Sequence, residues 1–363
     1  DYVREIAERL HGEVGDLWAD KDWETFARYA EKIIVDWIDE DMEALSIRFD
    51  RKFSEVSLHQ SGKVDEVLEE LKRRNQAYEA DGALWLKTTA YGDEKDRVLV
   101  KSDGDKTYLA SDIAYHDDKY RRGFDLIINL LGADHHSYAL RLKAAMAALG
   151  HDPEKLHCII YQLVTVKRGG EVVRFSKRAG DTITLREMID ELGPDVVRFF
   201  FAMRKADSHM EFDWDLAKEQ SDKNPVFYVQ YAHARCCSIE RRAEERGIPF
   251  AGVEKANLAL LNTPEEQRLI RTLCEYPRVV EAAGVNIDPQ RYTAYLRDVA
   301  EQWNAYQHAG KLDEAMRIIV PDRPEVTQAR LALTRAVRQV LRNALNALGC
   351  SAPERMERAT AEA

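Results

Sequence analysis

The chain has 363 residues, 45% hydrophobic and 32% charged, with a formal net charge of −11. This is the composition of a soluble protein long enough for two or three domains, and its acidity argues against a protein that coats nucleic acid indiscriminately. No apolar run reaches membrane-spanning length, no signal peptide is evident, and Cys158, Cys236, Cys237, Cys274 and Cys350 show neither metal-ligand spacing nor a disulfide framework, so reduced thiols, a cytoplasmic location and no membrane association are expected.

The chain opens without Met inside an amphipathic pattern, as a piece of a longer protein would. Residues 1–45 read as helical, with Trp18, Phe26, Tyr29, Ile33, Ile34 and Trp37 on buried faces. Ile47 to Glu55 alternates enough for a strand with Glu55 at its exit. Lys63 to Arg74 is a charged helix, and Ala83–Thr88 and Arg97–Val100 are strands of a small hairpin, followed by a turn at Ser102–Asp105. Ser111 can cap a helix, which leaves Tyr108 and Asp112 four positions apart across a strand-to-helix turn. A phenol and a carboxylate would then converge where ligands bind in open α/β sheets; a first-turn acid stabilised by the helix dipole is the alternative.

Phe124 to Gly132 reads as a buried, central, parallel strand, with Asp134, His135 and His136 at its carboxyl end and a helix from Tyr138 to Leu149. The paired histidines lack a third partner at ligand spacing, so no metal site is assigned. Cys158 to Val166 reads as one buried strand, Lys167-Arg168-Gly169-Gly170 as a turn, and Thr184 with Glu187 as a capping box. Between them Arg174, Ser176, Lys177 and Arg178 occupy a glycine-flanked loop. Adjacent cations there suit growing phosphate charge, although a solvated basic turn has the same composition. Val196–Met203 is an apolar helix. From Asn224-Pro225, a cap and first-position pair, the chain is helical almost to its end, including Leu258–Leu261 and Ala315–Val320, with Gly310, Pro321 and Pro324 as joints. Ser221 to Ala363 holds 20 basic and 19 acidic residues, so the negative excess lies before it.

The run R-F-S-K-R followed by T-L-R-E-M-I-D-E-L-G-P-D-V-V-R-F-F-F resembles the second signature loop and following helices of class I aminoacyl-tRNA synthetases, in particular the bacterial arginyl enzymes, which carry K-M-S-K-R there. Arg174 and Phe175 replace the Lys and Met; Ser176 and Lys177 match. F-S-E ending at Glu55, Y-x-x-x-D at Tyr108 and Asp112, G-A-D-H-H, N-P-x-x-Y-V-Q-Y-A-H-A-R and the terminal G-C-S-A-P-E-R-M are similar to the same family in order. The first class I signature, H-x-G-H, does not occur, so the resemblance implies a fragment that begins partway through the parent fold.

What the resemblance implies is a partial Rossmann-like α/β nucleotide-binding fold with a parallel sheet over 1–175, carrying a small inserted α/β subdomain at about 46–105. A signature loop and connecting helices follow over 176–220, and an all-α anticodon-binding bundle over 221–363. It implies an arginine–tRNA ligase, with ATP and Mg2+ as substrate, no tightly bound cofactor, L-arginine and tRNA(Arg) as partners, and a monomeric state. By the same resemblance Arg174, Ser176 and Lys177 are catalytic; Glu55, Tyr108, Asp112 and His135 hold arginine; Gly132, Asp134, Ser176 and Lys177 hold ATP; and Tyr228, Tyr231, Arg235 and Met356 meet the anticodon. A guanidinium is a planar fork of donors suited to carboxylates and a phenol oxygen, and aromatic and arginine side chains suit splayed RNA bases. A catalytically inactive tRNA-binding fragment or paralogue is the alternative.

Overall fold

A computed structural model of the chain describes residues 2–173 and 183–356. The candidate residues Arg174, Ser176 and Lys177 lie outside the described residues. The chain divides into two compact units, one formed by Asp1–Arg48, Val166–Lys205 and Phe212–Ala363, the other by Phe49–Thr165 and Ala206–Glu211.

Helices α1 (Tyr2–Val14) and α2 (Trp23–Ala44) open the first unit. Asp22 caps α2 by accepting from the Thr25 amide at 2.9 Å. Of the six residues expected on buried faces only Ile33 is buried; Phe26 is exposed and the other four are half-buried. The aromatic rings pack on one another instead, with Trp18 edge-on to Phe26 at 6.1 Å and to Tyr29 at 5.8 Å.

The second unit contains α3 (Glu55–Gln60), α4 (Lys63–Arg73), β1 (Ala77–Ala80), β2 (Ala83–Leu86), β3 (Arg97–Val100), α5 (Tyr108–Arg121), β4 (Ile127–Gly132), α6 (His136–Ala148) and β5 (Leu156–Tyr161). The strand expected over Ile47–Glu55 is not formed, and Glu55 opens α3. Alternation is insufficient without a partner ladder; the Phe53 ring instead packs at a tilt on Tyr115 at 4.6 Å, with the Arg51 guanidinium over the Phe53 ring at 5.2 Å. The small sheet has order β1-β2-β3, and β1 was not foreseen. Its signal is Asp81-Gly82, where both residues have positive φ as a two-residue hairpin turn requires.

Helix α5 begins at Tyr108 behind Thr107, one turn before the expected cap at Ser111. The Thr107 hydroxyl donates back to the Val98 carbonyl at 2.9 Å, which ties the helix start to β3. Tyr108 and Asp112 are therefore one turn apart on a single helix. Strand β4 is parallel to β5, in register from Ile127↔Leu156 to Gly132↔Tyr161. It is neither central nor buried throughout: among the described residues its sheet has two strands, and Ile128 and Leu130 are 42% and 65% exposed. Among the described residues helices cover one face, where Ile127, Leu156, Ile113, Leu142 and Met146 form the core.

The expected single strand Cys158–Val166 is two, β5 and β6 (Val164–Arg168). The backbone leaves the ladder at Gln162, whose amide bonds the Ala206 carbonyl at 2.8 Å. Gly169 and Gly170, at φ 62° and 78°, turn β6 into β7 (Glu171–Val172). Helix α7 (Leu185–Leu192) carries the expected capping box, with Glu187 N–H donating to Thr184 Oγ1 at 3.1 Å and Thr184 N–H to Glu187 Oε2 at 2.7 Å. Then follow α8 (Pro194–Ala202), β8 (Met210–Asp213), α9 (Trp214–Lys218), α10 (Pro225–Glu245), α11 (Pro264–Cys274), α12 (Tyr276–Asn286), α13 (Gln290–Leu312) and α14 (Pro324–Ala347). Asn224 caps α10 as expected, accepting from the Val226 amide at 3.0 Å. Gly310 is not a joint but lies inside α13, where a Cβ would come within 3.1 Å of the Met316 carbonyl oxygen. Leu258–Leu260 and Glu314–Met316 form only 3-10 turns. Leu269, Leu296, Val299, Trp303, Val337 and Leu341 are wholly buried and make the bundle core.

Candidate active site and nucleic-acid cleft

In the second unit a polar constellation gathers at the carboxyl end of β4. Gly132 ends the strand, and a Cβ there would come within 2.9 Å of Asp134 Oδ1, so the small residue lets that carboxylate fold back over the strand end. Asp134 and His135 are exposed on the turn into α6, with His135 Nε2 at 3.7 Å from Asp134 Oδ2. The His135 ring lies edge-on to Tyr138 at 6.0 Å, and Tyr138 Oη donates to Asp112 Oδ2. Burial, then the bond to Asp112, holds the Tyr138 phenol well above its ordinary range, with a smaller push from Glu55. The phenol therefore keeps its proton and acts as a donor that orients the carboxylate.

The helices carrying these groups are cross-linked. His59, one turn beyond Glu55 on α3, shares a 3.0 Å hydrogen bond with the buried Ser111 hydroxyl on α5, next to Asp112. His116 Nδ1, one turn beyond Asp112, bonds the Asp112 carbonyl at 2.7 Å. The structure brings Asp112, His135, Asp134 and Gly132 together and places Glu55 within electrostatic reach of Tyr138. Tyr108 is one turn from Asp112 but 85% exposed, and no bond joins the two in the described structure. Sequence reasoning missed Tyr138 as the partner of Asp112; the two are 26 positions apart and no local spacing pairs them.

The first unit contains a cleft of about 710 Å³ lined by Arg235, Arg241 and Arg242 of α10, Lys311 of α13 and Arg355, with Tyr231 and Met356. The cations project into it from three segments, and among the described residues no acid lines it. Arg235 stacks over the Tyr231 ring at 5.7 Å, and that ring is parallel to Phe227 at 6.1 Å. A basic wall carrying a partly exposed aromatic and a planar guanidinium offers charge for a phosphate backbone and flat faces for bases. Tyr231, Arg235 and Met356, singled out from sequence, share this cleft; Tyr228, half-buried on α10, does not line it. The missed cation Arg242 was legible, because residues 231, 235 and 242 fall on one helical face; Lys311 was not.

The family described as tRNA synthetases class I (R), catalytic domain, matches residues 4–199, and the DALR anticodon binding domain matches 229–356. The chain belongs to the class I arginyl-type tRNA synthetase family. Its relatives include the arginine–tRNA ligases of Syntrophotalea carbinolica, 47% identical over 356 residues, and Geobacillus thermodenitrificans, 47% identical over 360; each alignment covers 98% of this chain and 63% of the relative. The chain thus spans somewhat under two thirds of the length of these relatives. A crystal structure assigned as an arginyl tRNA synthetase from Campylobacter jejuni superposes with a TM-score of 0.87 at 30% identity, covering 98% of this chain and 76% of that one. The Thermus thermophilus arginyl-tRNA synthetase, at 23% identity and a TM-score of 0.74, covers 96% of this chain and 67% of that one and shares the fold. For this synthetase-family chain, the constellation around Asp112 falls within the catalytic-domain match and the basic cleft within the anticodon-domain match.

Proposed function

We propose that the protein to which this chain belongs is an arginine–tRNA ligase, which activates L-arginine with Mg2+-bound ATP to an adenylate and transfers the arginyl group to the terminal ribose of tRNA(Arg). The observation that carries the reading is the Asp112 carboxylate, oriented by the Tyr138 phenol beside the end of β4. A carboxylate with one oxygen fixed by a neutral donor presents its other oxygen to a guanidinium. Glu55 is assigned to the same niche, Tyr108 and His135 to its rim, and Gly132 with Asp134 to the nucleotide.

Ser176, Lys177 and Arg174 are assigned to the triphosphate by their match to the family's signature loop. In-line attack of the arginine carboxylate on the α-phosphorus needs no general base; it needs alignment and cations where charge accumulates. Tyr231, Arg235 and Met356 are assigned to the anticodon, with Tyr228 as a neighbour on the same helix. Among the described residues no helix is long and apolar enough to cross a membrane, and we assign the protein to the cytoplasm as a monomer. The 363 residues contain no H-x-G-H string, and by themselves they are read as binding tRNA without forming adenylate. Competition calorimetry on the longer protein tests the niche: arginine binds and citrulline, its neutral isostere, competes far more weakly. Equal competition by citrulline refutes the assignment.

A further inference from the structure

Arg355 and Met356 line the basic cleft, yet they belong to a segment beyond α14 that has no secondary structure of its own. An irregular segment holds a side chain in place only where its backbone is tied to something rigid. Here the ties are numerous and specific. Asp195, in the first turn of α8, accepts from the Ser351 amide through Oδ1 at 2.9 Å and from the Ser351 hydroxyl through Oδ2. Gln230 on α10 donates through Nε2 to Asp195 Oδ2 at 2.7 Å and to the Ser351 carbonyl at 3.0 Å. Gln230 of α10 and Ser351 of the segment therefore share the single carboxylate that α8 supplies.

Two further ties lead from this node towards the cleft. The wholly buried His233, one turn along α10 from Gln230, bonds the Pro353 carbonyl through Nδ1 at 2.9 Å. A carbonyl can only accept, so Nδ1 carries the proton, and burial keeps the imidazole neutral by holding it below its usual range. Arg241, itself a cleft residue, donates to the Glu354 carbonyl at 3.3 Å. On the other side, Gly349 has φ 69° and a Cβ there would collide with the Arg198 guanidinium, which donates through Nε to the Leu348 carbonyl at 2.7 Å. Arg198 lies one turn after Asp195, so α8 grips the segment at two points.

We propose that Asp195, Gln230 and His233 are positioning residues that clamp residues 349–354 onto α8 and α10, so that Arg355 and Met356 form one wall of the cleft. The clamp makes the cleft's RNA affinity depend on α8, a helix that contributes nothing to its lining. This rests on the reading of the cleft as the anticodon site, and the test separates the two.

The measurement is the affinity of the 363-residue chain for a fluorescent RNA hairpin carrying an arginine anticodon in its single-stranded loop, together with amide exchange over residues 349–356. Asp195→Asn places an amide donor against either Gln230 or Ser351, and it weakens binding about tenfold while speeding exchange in the segment. Ser351→Ala, at an exposed position that folding tolerates, does the same to a smaller extent, and it decides the matter where Asp195→Asn fails to fold. Because the clamp acts through the cleft wall, Arg355→Ala costs less affinity in the Asp195→Asn background than in the wild type. Loss of binding in Arg235→Ala with wild-type affinity in both clamp variants overturns the clamp alone, as does full additivity of Arg355→Ala with Asp195→Asn. Failure of the wild type to bind, or wild-type affinity in Arg235→Ala, overturns the cleft reading and the clamp with it.

Discussion

At the scale of single residues the arginine niche is a question of which carboxylate oxygen is committed. Tyr138 holds Asp112 Oδ2, so Asp112→Asn removes the charge that a guanidinium requires, whereas Tyr138→Phe leaves the charge and removes only its orientation. In the longer protein Asp112→Asn raises the Michaelis constant for arginine on the order of a hundredfold, and Tyr138→Phe raises it about tenfold or less, with the constant for ATP little changed in both. Steady-state pyrophosphate exchange checks the order; an unchanged arginine constant in Asp112→Asn removes that residue from the pocket. Lys177→Ala acts on the other substrate, slowing adenylate formation far more than it weakens arginine binding, as rapid-quench kinetics set against equilibrium binding will show.

The residue scale is also where the sequence said most about chemistry and least about partners. Asp112, His135, Tyr231, Arg235 and Met356 were identifiable from their motifs, and the structure gathers them into two groups within their respective units. Tyr138 was not, because a helix-first-turn tyrosine looks the same whether its hydroxyl meets water or a carboxylate from another helix. Tyr108 carries the opposite lesson: its motif is intact, and the fold leaves the phenol exposed.

Among the elements, a buried ion pair ties three helices of the bundle together. Glu266, fully buried in the first turn of α11, accepts from Arg330 of α14 at 2.7 Å and from the Tyr306 hydroxyl of α13 at 3.1 Å, while its other oxygen caps its own helix by accepting from the Thr263 amide at 3.0 Å. Arg330 also donates to the Ala315 and Arg317 carbonyls, both at 2.6 Å, and so fixes the loop that backs Gly310 on α13. Glu266→Ala strands a buried guanidinium and costs on the order of 3–5 kcal/mol. Glu266→Gln keeps two of the bonds and costs less. Urea unfolding of the two variants measures the difference, and a loss within about 0.5 kcal/mol in Glu266→Ala contradicts the role given to the pair.

For the whole molecule the telling variable is pH. Burial, with a smaller contribution from Lys119, lowers the His116 imidazole to about 4. Unfolded, the same group titrates near 6.5. Below that value the unfolded chain takes up a proton that the folded chain refuses until about pH 4, so the contribution of neutral His116 is present above about pH 6.5 and is lost as pH falls towards 4. Between pH 7 and pH 5 this amounts to on the order of 2 kcal/mol for the unit that contains it, and the buried His233 acts in the same direction in the other unit. His116→Gln flattens the dependence in urea unfolding at the two pH values; an unchanged slope shows that the group titrates normally in the fold.

By itself the sequence determined what local physics can determine. The capping box at Thr184 and Glu187, the Asn224 cap with Pro225, the Gly169-Gly170 hairpin and the long periodic helices need only neighbours within a few positions, and all are present. The tertiary structure decided which expected strands have partners: Ile47–Glu55 finds none, the polar Ala77–Ala80 finds β2, and β4 is covered on one face among the described residues. It also decided how the candidate residues are held, through Tyr138 on Asp112 and Asp195 on Ser351, the latter 156 positions apart. Periodicity records which face of an element is apolar, but a hydrogen bond between distant side chains leaves no period behind, and only folding brings its two ends within reach.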